Sequence, residues 1–574
     1  MHTTNLVRIS TLVMTLMLML VASIAEPAAG RGMPECEDAG VVTSHQKISD
    51  LVGRFDGALD DEDQFGRSVT AVGDLDRDGI ADLAVGAQRD DDGGDRRGAV
   101  WILFMNADGT VRSEQKISDT EGGFGGTLND LDVFGAAVEG LGDLNGDDIP
   151  DLAVGTLGDD GGLDRGAIWI LFLDRDGTVQ TEQKIAEGIG GFVGPLADED
   201  NFGASGLALL GDVDADGVQD LAASAFADDD GGNRRGAVWI LFLNTDGTVK
   251  AEQKISDLAG GFGGVLDDGD AFGGGGTSPG DLDMDGVPDL VVGANGDDDG
   301  AAGAGAIWVL FLNTDGTVQA EQKISNLEGG FGGTLDTDVL FGSNVGNIGD
   351  VDGDGVVDMA VSAPRDDDGG YRRGAVWVLF MNADGTVHAE QKISDLAGEF
   401  EGELDDEDRF GFYVAGVGNL SCQGAVNVAV GATFDDDGGF DRGAVYILNL
   451  LQCLRPLRIV EQPSCVLLEP GGGTAVFTVD AVGDGDLSYQ WLRNGVILTD
   501  GPDIIGSTTA ELTVMADNDD IAWYAVMVTN DVDTITSDAA VLGIEQSCTG
   551  DINYDGVVNV PDLLALLGAW GECP

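Results

Sequence analysis

The stretch GDLDRDGIADLAVGA, from Gly73 to Ala87, contains the pattern that decides the fold. Four aspartates stand at positions 1, 3, 5 and 9 of a loop that bends at a glycine: Asp74, Asp76, Asp78 and Asp82, around Gly79. Alternate carboxylates on a tight loop supply the oxygen ligands that a hard cation such as Ca²⁺ needs. In an EF-hand the last carboxylate stands at position 12 and begins a helix, whereas Asp82 begins the apolar segment DLAVGA. The stretch therefore predicts a metal loop between two β-strands.

Five copies of this loop occur along the chain, and each offers side-chain oxygens at positions 1, 3, 5 and 9 and a backbone carbonyl at position 7. The predicted metal ligands are Asp74, Asp76, Asp78, Ile80 and Asp82; Asp143, Asn145, Asp147, Ile149 and Asp151; Asp212, Asp214, Asp216, Val218 and Asp220; Asp281, Asp283, Asp285, Val287 and Asp289; and Asp350, Asp352, Asp354, Val356 and Asp358. The second loop has Asp148 where glycine is usual. A sixth copy has Asn419, Ser421, Gln423 and Asn427 at the side-chain positions. We expect five occupied structural sites and a metal-free sixth unit, because uncompensated neighbouring carboxylates would repel one another.

An internal repeat of about 69 residues organises most of the chain. The lysine of the string EQKIS, or of a close variant, recurs at Lys47, Lys116, Lys184, Lys254, Lys323 and Lys392. Each unit has four apolar or alternating segments separated by turns, such as NADG at 106–109, and none shows a sustained helical period. Four antiparallel strands per unit, repeated six times, predict an all-β fold: a six-bladed β-propeller, with seven blades as the alternative.

The two ends of the repeat array complement each other. The last unit stops after its third strand, GAVYILNL (443–450), and an orphan copy, HQKIS (45–49), precedes the first unit. An N-terminal strand can therefore complete the last blade and remove its exposed edges.

Two dipeptide motifs flank the acidic loop in every unit. FG begins at residues 65, 134, 202, 272, 341 and 410, and GAV or GAI at 98, 166, 236, 305, 374 and 443. Together with the loop they resemble the FG-GAP repeat of integrin α-subunit propellers and many bacterial surface proteins, over roughly residues 45–450. The resemblance implies Ca²⁺ binding between the first two strands of a blade and ligand contacts on the opposite face.

A second acidic loop, DDDGG, joins strands two and three of the units on that opposite face. Copies lie at 90–94, 228–232, 366–370 and 435–439, with variants at 159 and 297. One interpretation is a ligand-binding face. The other is a solvated rim in which arginines such as Arg96, Arg97, Arg372 and Arg373 pair with nearby aspartates. Near-identical repetition around a ring disfavours a single catalytic pocket.

Composition and the N-terminus indicate an exported protein. Residues 1–25 are typical of a signal peptide, with an apolar run from Ile9 to about Ile24, and no later segment approaches the length of a membrane span. The 574 residues include 104 acidic and 28 basic side chains, a formal charge of −76, which disfavours nucleic acid and anionic membrane as partners. Six cysteines in an exported chain suggest disulfides.

Two smaller modules follow the repeats. Residues 457–545 contain short alternating strands, and Trp491 with Tyr524 resembles the core of an immunoglobulin domain, with Val479 and Val526 in place of the intersheet cysteines. In residues 548–574 the position-12 spacing returns, with candidate ligands Asp551, Asn553, Asp555, Val557 and Asp562 before an apolar helical pattern. This tail resembles one repeat of a type I dockerin, in which Cys548 and Cys573 form the favoured pair. A complete dockerin has two repeats, so cohesin binding is doubtful and a capping, anchoring or sorting role is equally open.

Two functions are compatible with these features. The first is a secreted or cell-surface Ca²⁺-binding propeller protein that acts in adhesion, scaffolding or binding of an extracellular protein or polysaccharide. The alternative is a carbohydrate-active enzyme or carbohydrate-binding component of a polysaccharide-degrading system. Histidine occurs only at positions 2, 45 and 388, and no catalytic constellation stands out, although a carboxylate pair of the glycosidase type stays possible.

Overall fold

The computed structural model describes residues 39–158, 164–418, 420, 426–453, 457–468, 472–483, 487–516, 522–530 and 534–544. The regular elements in these ranges are all β-strands, as predicted, and they lie in one compact unit that begins at Gly40. Within the same ranges, no helix is long and apolar enough to cross a membrane. The predicted signal peptide and dockerin-like tail lie outside the described residues.

Six four-stranded sheets of antiparallel strands follow one another along residues 42–450. In the first five, each strand pairs with the next one in the chain. The first contains β2 (Phe65–Gly73), β3 (Asp82–Ala87), β4 (Ala99–Met105) and β5 (Val111–Ile117), and the second β6 (Ala137–Gly142), β7 (Asp151–Thr156), β8 (Ala167–Leu173) and β9 (Val179–Ile185). The third contains β10 (Leu207–Gly211), β11 (Asp220–Ala225), β12 (Ala237–Leu243) and β13 (Val249–Ser256), and the fourth β14 (Phe272–Gly280), β15 (Asp289–Ala294), β16 (Ala306–Leu312) and β17 (Val318–Ile324). The fifth contains β18 (Val345–Gly349), β19 (Asp358–Ala363), β20 (Ala375–Met381) and β21 (Val387–Ile393).

The sixth sheet combines the two ends of the repeat region. It contains β22 (Phe410–Gly418), β23 (Val426–Ala432) and β24 (Ala444–Leu450), and its fourth strand is β1 (Val42–Ile48). Strand β1 runs antiparallel to β24, with Val42 opposite Leu450 and Ile48 opposite Val445. The prediction that the orphan N-terminal segment completes the last sheet is confirmed.

The FG and GA motifs form the joints between neighbouring sheets. Gly98, which precedes β4, forms an isolated parallel bridge with Phe134 of the next unit, and the Phe134 N–H donates to the carbonyl oxygen of Arg97 at 2.8 Å. A Cβ atom on Gly98 would lie 2.2 Å from the Phe134 carbonyl oxygen, so glycine alone fits this approach. Equivalent bridges join residues 236 and 272, 305 and 341, 374 and 410, and 443 and 65. The last of these joins the sixth sheet to the first.

The apolar cores lie between neighbouring sheets. One core combines Trp101 and Val85 of the first sheet with Val445 and Ile447 of the sixth. Further cores join the first sheet to the second, the second to the third, the third to the fourth and the fourth to the fifth. Repeated sheets that pack in sequence, with the last against the first, are consistent with a β-propeller.

Residues after 457 form a separate group of short strands. A three-stranded sheet has the order β27-β32-β31, a larger sheet has the order β26-β35-β33-β29-β30 with β34 beside β33, and β25 pairs with β28. The strands are β25 (Arg458–Glu461), β26 (Val466–Leu468), β27 (Gly473–Thr478), β28 (Asp480–Val482), β29 (Ser488–Arg493), β30 (Val496–Ile497), β31 (Ile504–Ile505), β32 (Glu511–Ala516), β33 (Ala522–Thr529), β34 (Thr534–Thr536) and β35 (Ala540–Ile544). Trp491, Tyr524 and Val526 are fully buried in their shared core, and Val479 is also buried there.

Candidate metal centres

The five acidic loops share one backbone geometry, set by the carboxylates at positions 1 and 5. In the first loop Asp74 accepts the N–H groups of Asp78 and Gly79, each at 2.9 Å, and Asp78 accepts the N–H of Ile80 at 2.9 Å. The same bonds recur at Asp143 and Asp147, Asp212 and Asp216, Asp281 and Asp285, and Asp350 and Asp354. Each of these carboxylates is therefore held in place by backbone donors before any cation binds.

The position-9 carboxylate ties the loop to the third strand of its own sheet. Asp82 is fully buried and accepts the Leu75 N–H at 3.1 Å and the Met105 N–H at 3.0 Å. Burial raises its pKa to about 7, against the lowering effect of these hydrogen bonds. Asp151, Asp220, Asp289 and Asp358 make the same pair of bonds. Position 9 thus has a structural role that the loop spacing alone did not reveal.

Carboxylate oxygens converge in four of the five loops. Ligand atoms within 4.8 Å of one another come from Asp74, Asp76 and Asp78; from Asp212, Asp214 and Asp220; from Asp281, Asp283 and Asp285; and from Asp350, Asp352 and Asp358. These acidic groups could hold a metal ion, and oxygen donors suit a hard divalent cation. Among the described residues, the 143–151 loop forms no such group of three acids, since its position-3 residue is Asn145.

The second loop keeps the common backbone despite its missing glycine. Asp148 has φ of +64°, in the left-handed region that Gly79 occupies at +92° in the first loop. Aspartate tolerates this region better than most residues. In the sixth copy, Asn427 is the one side-chain position within the described residues. Its Oδ1 accepts the Leu420 N–H at 2.8 Å, which reproduces one bond of Asp82 without its charge.

An outer-strand position that the sequence did not single out also reaches the loops. The second residue of the fourth strand contacts the acids of its own sheet: Arg112 contacts Asp76 and Asp78, Lys250 contacts Asp214 and Asp216, Gln319 donates to Asp285, and His388 lies 2.8 Å from Asp352. The loops therefore differ in local charge. The sequence could have indicated these contacts through a constant spacing, because the outer-strand residue follows its acidic partner by 34 or 36 residues.

On the opposite side of the sheets, the aspartates of the DDDGG loops form ion pairs with lysines of their own sheet. Lys116, the lysine of EQKIS, lies 2.6 Å from Asp90 and 2.8 Å from Asp92, and its ammonium group is 5.4 Å from the Trp101 ring centroid. The same two lysine–aspartate ion pairs form at Lys47, Lys254, Lys323 and Lys392. The two most repetitive strings of the sequence are thus salt-bridge partners.

Arginines fix the segments that link neighbouring sheets on this side. Arg97 lies 2.7 Å from Asp119 and 3.1 Å from Asp130, both in the link to the second sheet. Arg373 makes the equivalent pairs with Asp395 and Asp406, Arg372 pairs with Asp338, and Arg96 with Glu62. The predicted arginine–aspartate pairs are present at Arg97, Arg372 and Arg373, whereas the partner of Arg96 is a glutamate.

Replacing Lys116 with methionine should lower the free energy of unfolding by about 3–5 kcal/mol, because Asp90 is 2% exposed and would lose its cation. Urea unfolding of the purified variant measures this loss. Arg77→Gln is the matched control, since Arg77 lies at an exposed pair, 3.6 Å from Asp148, where a change below about 1 kcal/mol is expected. Equal small losses in both variants would contradict a structural role for the lysine.

Comparison with known proteins agrees with this geometry. Residues 65–103, 273–310 and 341–379 match the FG-GAP repeat family. The chain carries FG-GAP repeats. It is similar to integrin alpha-2 of Mus musculus, with 33% identity over 121 residues, which cover 21% of this chain and 9% of that one. It is also similar to integrin alpha-5 of Xenopus laevis, with 40% identity over 103 residues, which cover 18% of this chain and 9% of that one.

The chain therefore spans about a tenth of the length of these curated relatives. Among solved structures, the titin M3 domain aligns with 16% of this chain and 97% of its own, at 20% identity and a TM-score of 0.14. The FG-GAP matches and the integrin similarity support an integrin-like protein with repeated four-stranded sheets.

Proposed function

We propose that this protein is a secreted or cell-surface FG-GAP propeller of six blades that binds Ca²⁺ at five loops and acts in adhesion or ligand binding. The observation that carries the proposal is the repeated cage in which backbone N–H groups hold converging carboxylates, as at Asp74, Asp76 and Asp78. Similarity to integrin alpha chains supports an adhesive role. When bound, Ca²⁺ supplies the positive charge that keeps these carboxylates together.

Removal of Ca²⁺ should lower the melting temperature by on the order of 10–20 °C, since each occupied site contributes about 3–4 kcal/mol when the metal is at 100–1,000 times Kd. Differential scanning calorimetry in Ca²⁺ and then in chelator measures this shift. Asp283→Ala should remove about one fifth of it. The control Glu328→Ala, on the surface of the same unit, should remove none. A melting temperature that is the same in Ca²⁺ and in chelator would exclude structural calcium.

The ligand of the propeller is expected on the side that carries the DDDGG loops. Exposed aromatic side chains stand there beside arginines: Tyr371 is 51% exposed and its ring lies 4.9 Å from the Arg372 guanidinium, and Phe440 is 59% exposed. Aromatic and arginine side chains are enriched in protein interfaces. This composition favours an extracellular protein as the ligand, with a polysaccharide as the other possibility.

A binding screen against matrix proteins and glycans, run in Ca²⁺ and in chelator, tests this role. Binding to a protein ligand that falls when Tyr371 and Phe440 are both changed to serine would support the proposed face. Depolymerisation of a polysaccharide by the purified chain would favour the enzymatic alternative instead.

The remaining modules complete the proposal. The strands after residue 457 act as an immunoglobulin-like spacer or adhesion domain, supported by the buried pair of Trp491 and Tyr524. Cys453 and Cys465 are both disulfide-bonded, which fits an oxidising extracellular location. The tail at 548–574 is proposed to bind Ca²⁺ through Asp551, Asn553, Asp555, Val557 and Asp562 and to cap, anchor or sort the protein.

A further inference from the structure

The first strand of each sheet is where the six units differ most in sequence. We call these strands innermost because they line one cavity: β2, β6, β10, β14, β18 and β22. From the FG motif to the end of the first strand, the units read FGRSVTAVG, FGAAVEGLG, FGASGLALLG, FGGGGTSPG, FGSNVGNIG and FGFYVAGVG, whereas the second and third strands are nearly identical between units. Residues of all six innermost strands line a single cavity of about 280 Å³. The repeated fold thus encloses one asymmetric site, contrary to the expectation from repetition alone.

Glu139 of β6 is the one carboxylate among the residues that line this cavity. Its Oε1 accepts the Leu209 N–H at 3.0 Å, and its Oε2 accepts the Thr70 hydroxyl at a long 3.4 Å. In the described part of the chain, no lysine or arginine forms an ion pair with it. The acids of the DDDGG loops, by contrast, have lysines within 3 Å.

An unpaired carboxylate in such a place is costly to the fold. Burial raises the pKa of Glu139 to about 7, although the Leu209 and Thr70 hydrogen bonds act in the opposite direction. Tyr413 is buried, and its burial, followed by the charge of Glu139, raises the pKa of that phenol. A buried carboxylate that lowers the stability of the fold, and that hydrogen bonds hold in a defined position, is typical of a binding site.

The rest of the wall restricts the chemistry of a ligand. The hydroxyls of Thr70 and Thr277 already accept the Gly140 and Asn347 N–H groups, each at 3.3 Å, and each has a second lone pair for a ligand. Ser278, Asn344 and Tyr413 add polar groups to the wall, and Ala71, Leu209 and Ala415 supply its partly exposed apolar surface. Asn347 is already engaged, because its Nδ2 donates to the Ser278 carbonyl and its Oδ1 accepts the Gly349 N–H. A hard divalent cation favours several carboxylates, such as the three that converge in an acidic loop, whereas this wall has one. The volume is instead near the lower end for small-molecule sites.

We propose that this axial cavity binds a small organic ammonium ion, with its N–H groups donating to the Glu139 carboxylate and the Thr70 and Thr277 hydroxyls. Its carbon chain lies against Ala71, Leu209 and Ala415. The site is independent of the Ca²⁺ loops and of the proposed ligand face, and the strongly negative protein would attract such cations from solution.

Isothermal titration with n-butylammonium chloride, in saturating Ca²⁺, tests the proposal, with n-butanol as the uncharged probe. Saturable binding of the ammonium ion and none of the alcohol is expected. Glu139→Gln should weaken binding at least about 10-fold, because a charge-assisted hydrogen bond is lost. Glu182→Gln, in the outermost strand of the same sheet, should bind as the unaltered protein does.

A second variant guards against misfolding of the first. Ala415→Phe keeps every charge and fills the cavity with a ring, so it should also abolish binding. Absence of saturable n-butylammonium binding to the unaltered protein would overturn the proposal. So would equal affinity in Glu139→Gln, or the loss of one Ca²⁺-binding event from that variant, which would assign the carboxylate to a metal.

Discussion

A chain that begins at Ser49, and so lacks β1, is expected to lose about 5–10 kcal/mol of stability and to self-associate. Val42 and Ile48 of β1 are buried, and each contributes about 1.5–3 kcal/mol by burial. The backbone pairing with β24 and the contacts of Lys47 with Asp435 and Asp437 are lost as well. The exposed edge of β24 would then be free to pair with other chains. Thermal unfolding and light scattering at several protein concentrations measure both effects.

A synthetic peptide of residues 40–49 provides the control for this deletion. Added to the shortened chain, it should restore the melting temperature and the monomer, whereas a scrambled peptide should not. A shortened chain that stays monomeric and melts like the full chain would show that the strand is dispensable.

Replacing Asp82 with alanine should cost about 2–5 kcal/mol even in chelator. The change leaves the buried N–H groups of Leu75 and Met105 without an acceptor, and each unsatisfied donor costs about 1–3 kcal/mol. In Ca²⁺ the loss should increase further, since the predicted position-9 ligand is gone. Urea unfolding with and without chelator separates the two contributions.

Asp82→Asn is the informative partner of that variant. Asn427 shows that an amide oxygen can accept the loop N–H that Asp82 accepts from Leu75. The Nδ2 of Asn427 has an acceptor of its own, the side-chain oxygen of Asn449. In the first sheet the same Nδ2 would face the Met105 N–H, so an intermediate loss is expected. If Asp82→Ala were as stable as the unaltered protein in chelator, position 9 would have no structural role.

Much of the fold could be predicted because the units are near copies of one another. The period located the strands, and comparison of the two ends showed that the segment at 45–49 lacks a sheet of its own. Turn chemistry was also readable: the Asn106 N–H donates to the Thr110 carbonyl, as a hairpin at NADG requires. Local patterns suffice where each unit repeats the same short-range contacts.

The partners in space were less accessible to the sequence. Every unit has the same EQKIS lysine and the same acidic loop, so the sequence does not say which lysine pairs with which loop. The pairing of Lys116 with Asp90 and Asp92 follows from the register of β4 and β5. The contact of Arg112 with Asp76 depends on β5 lying at the outer edge, two strands away from β3. Glu139 could be recognised as a candidate binding residue only from the structure, which places six divergent strands around one cavity.

The pairing of β1 with β24 also sets an order of events during folding. Val42 and Leu450 are opposite each other although they lie at the two ends of the repeat region, so β1 has no partner until the sixth sheet exists. Closing a loop about six times longer than one repeat costs only about 1.5 kcal/mol more in chain entropy, so the penalty falls on time rather than on final stability. The five sheets made of consecutive strands can form as they emerge, whereas β1 stays unpaired until β24 has been made. The pairing of β1 with β24 therefore affects folding kinetics as well as stability, because the repeat region becomes resistant to unfolding from its ends only once this pair has formed.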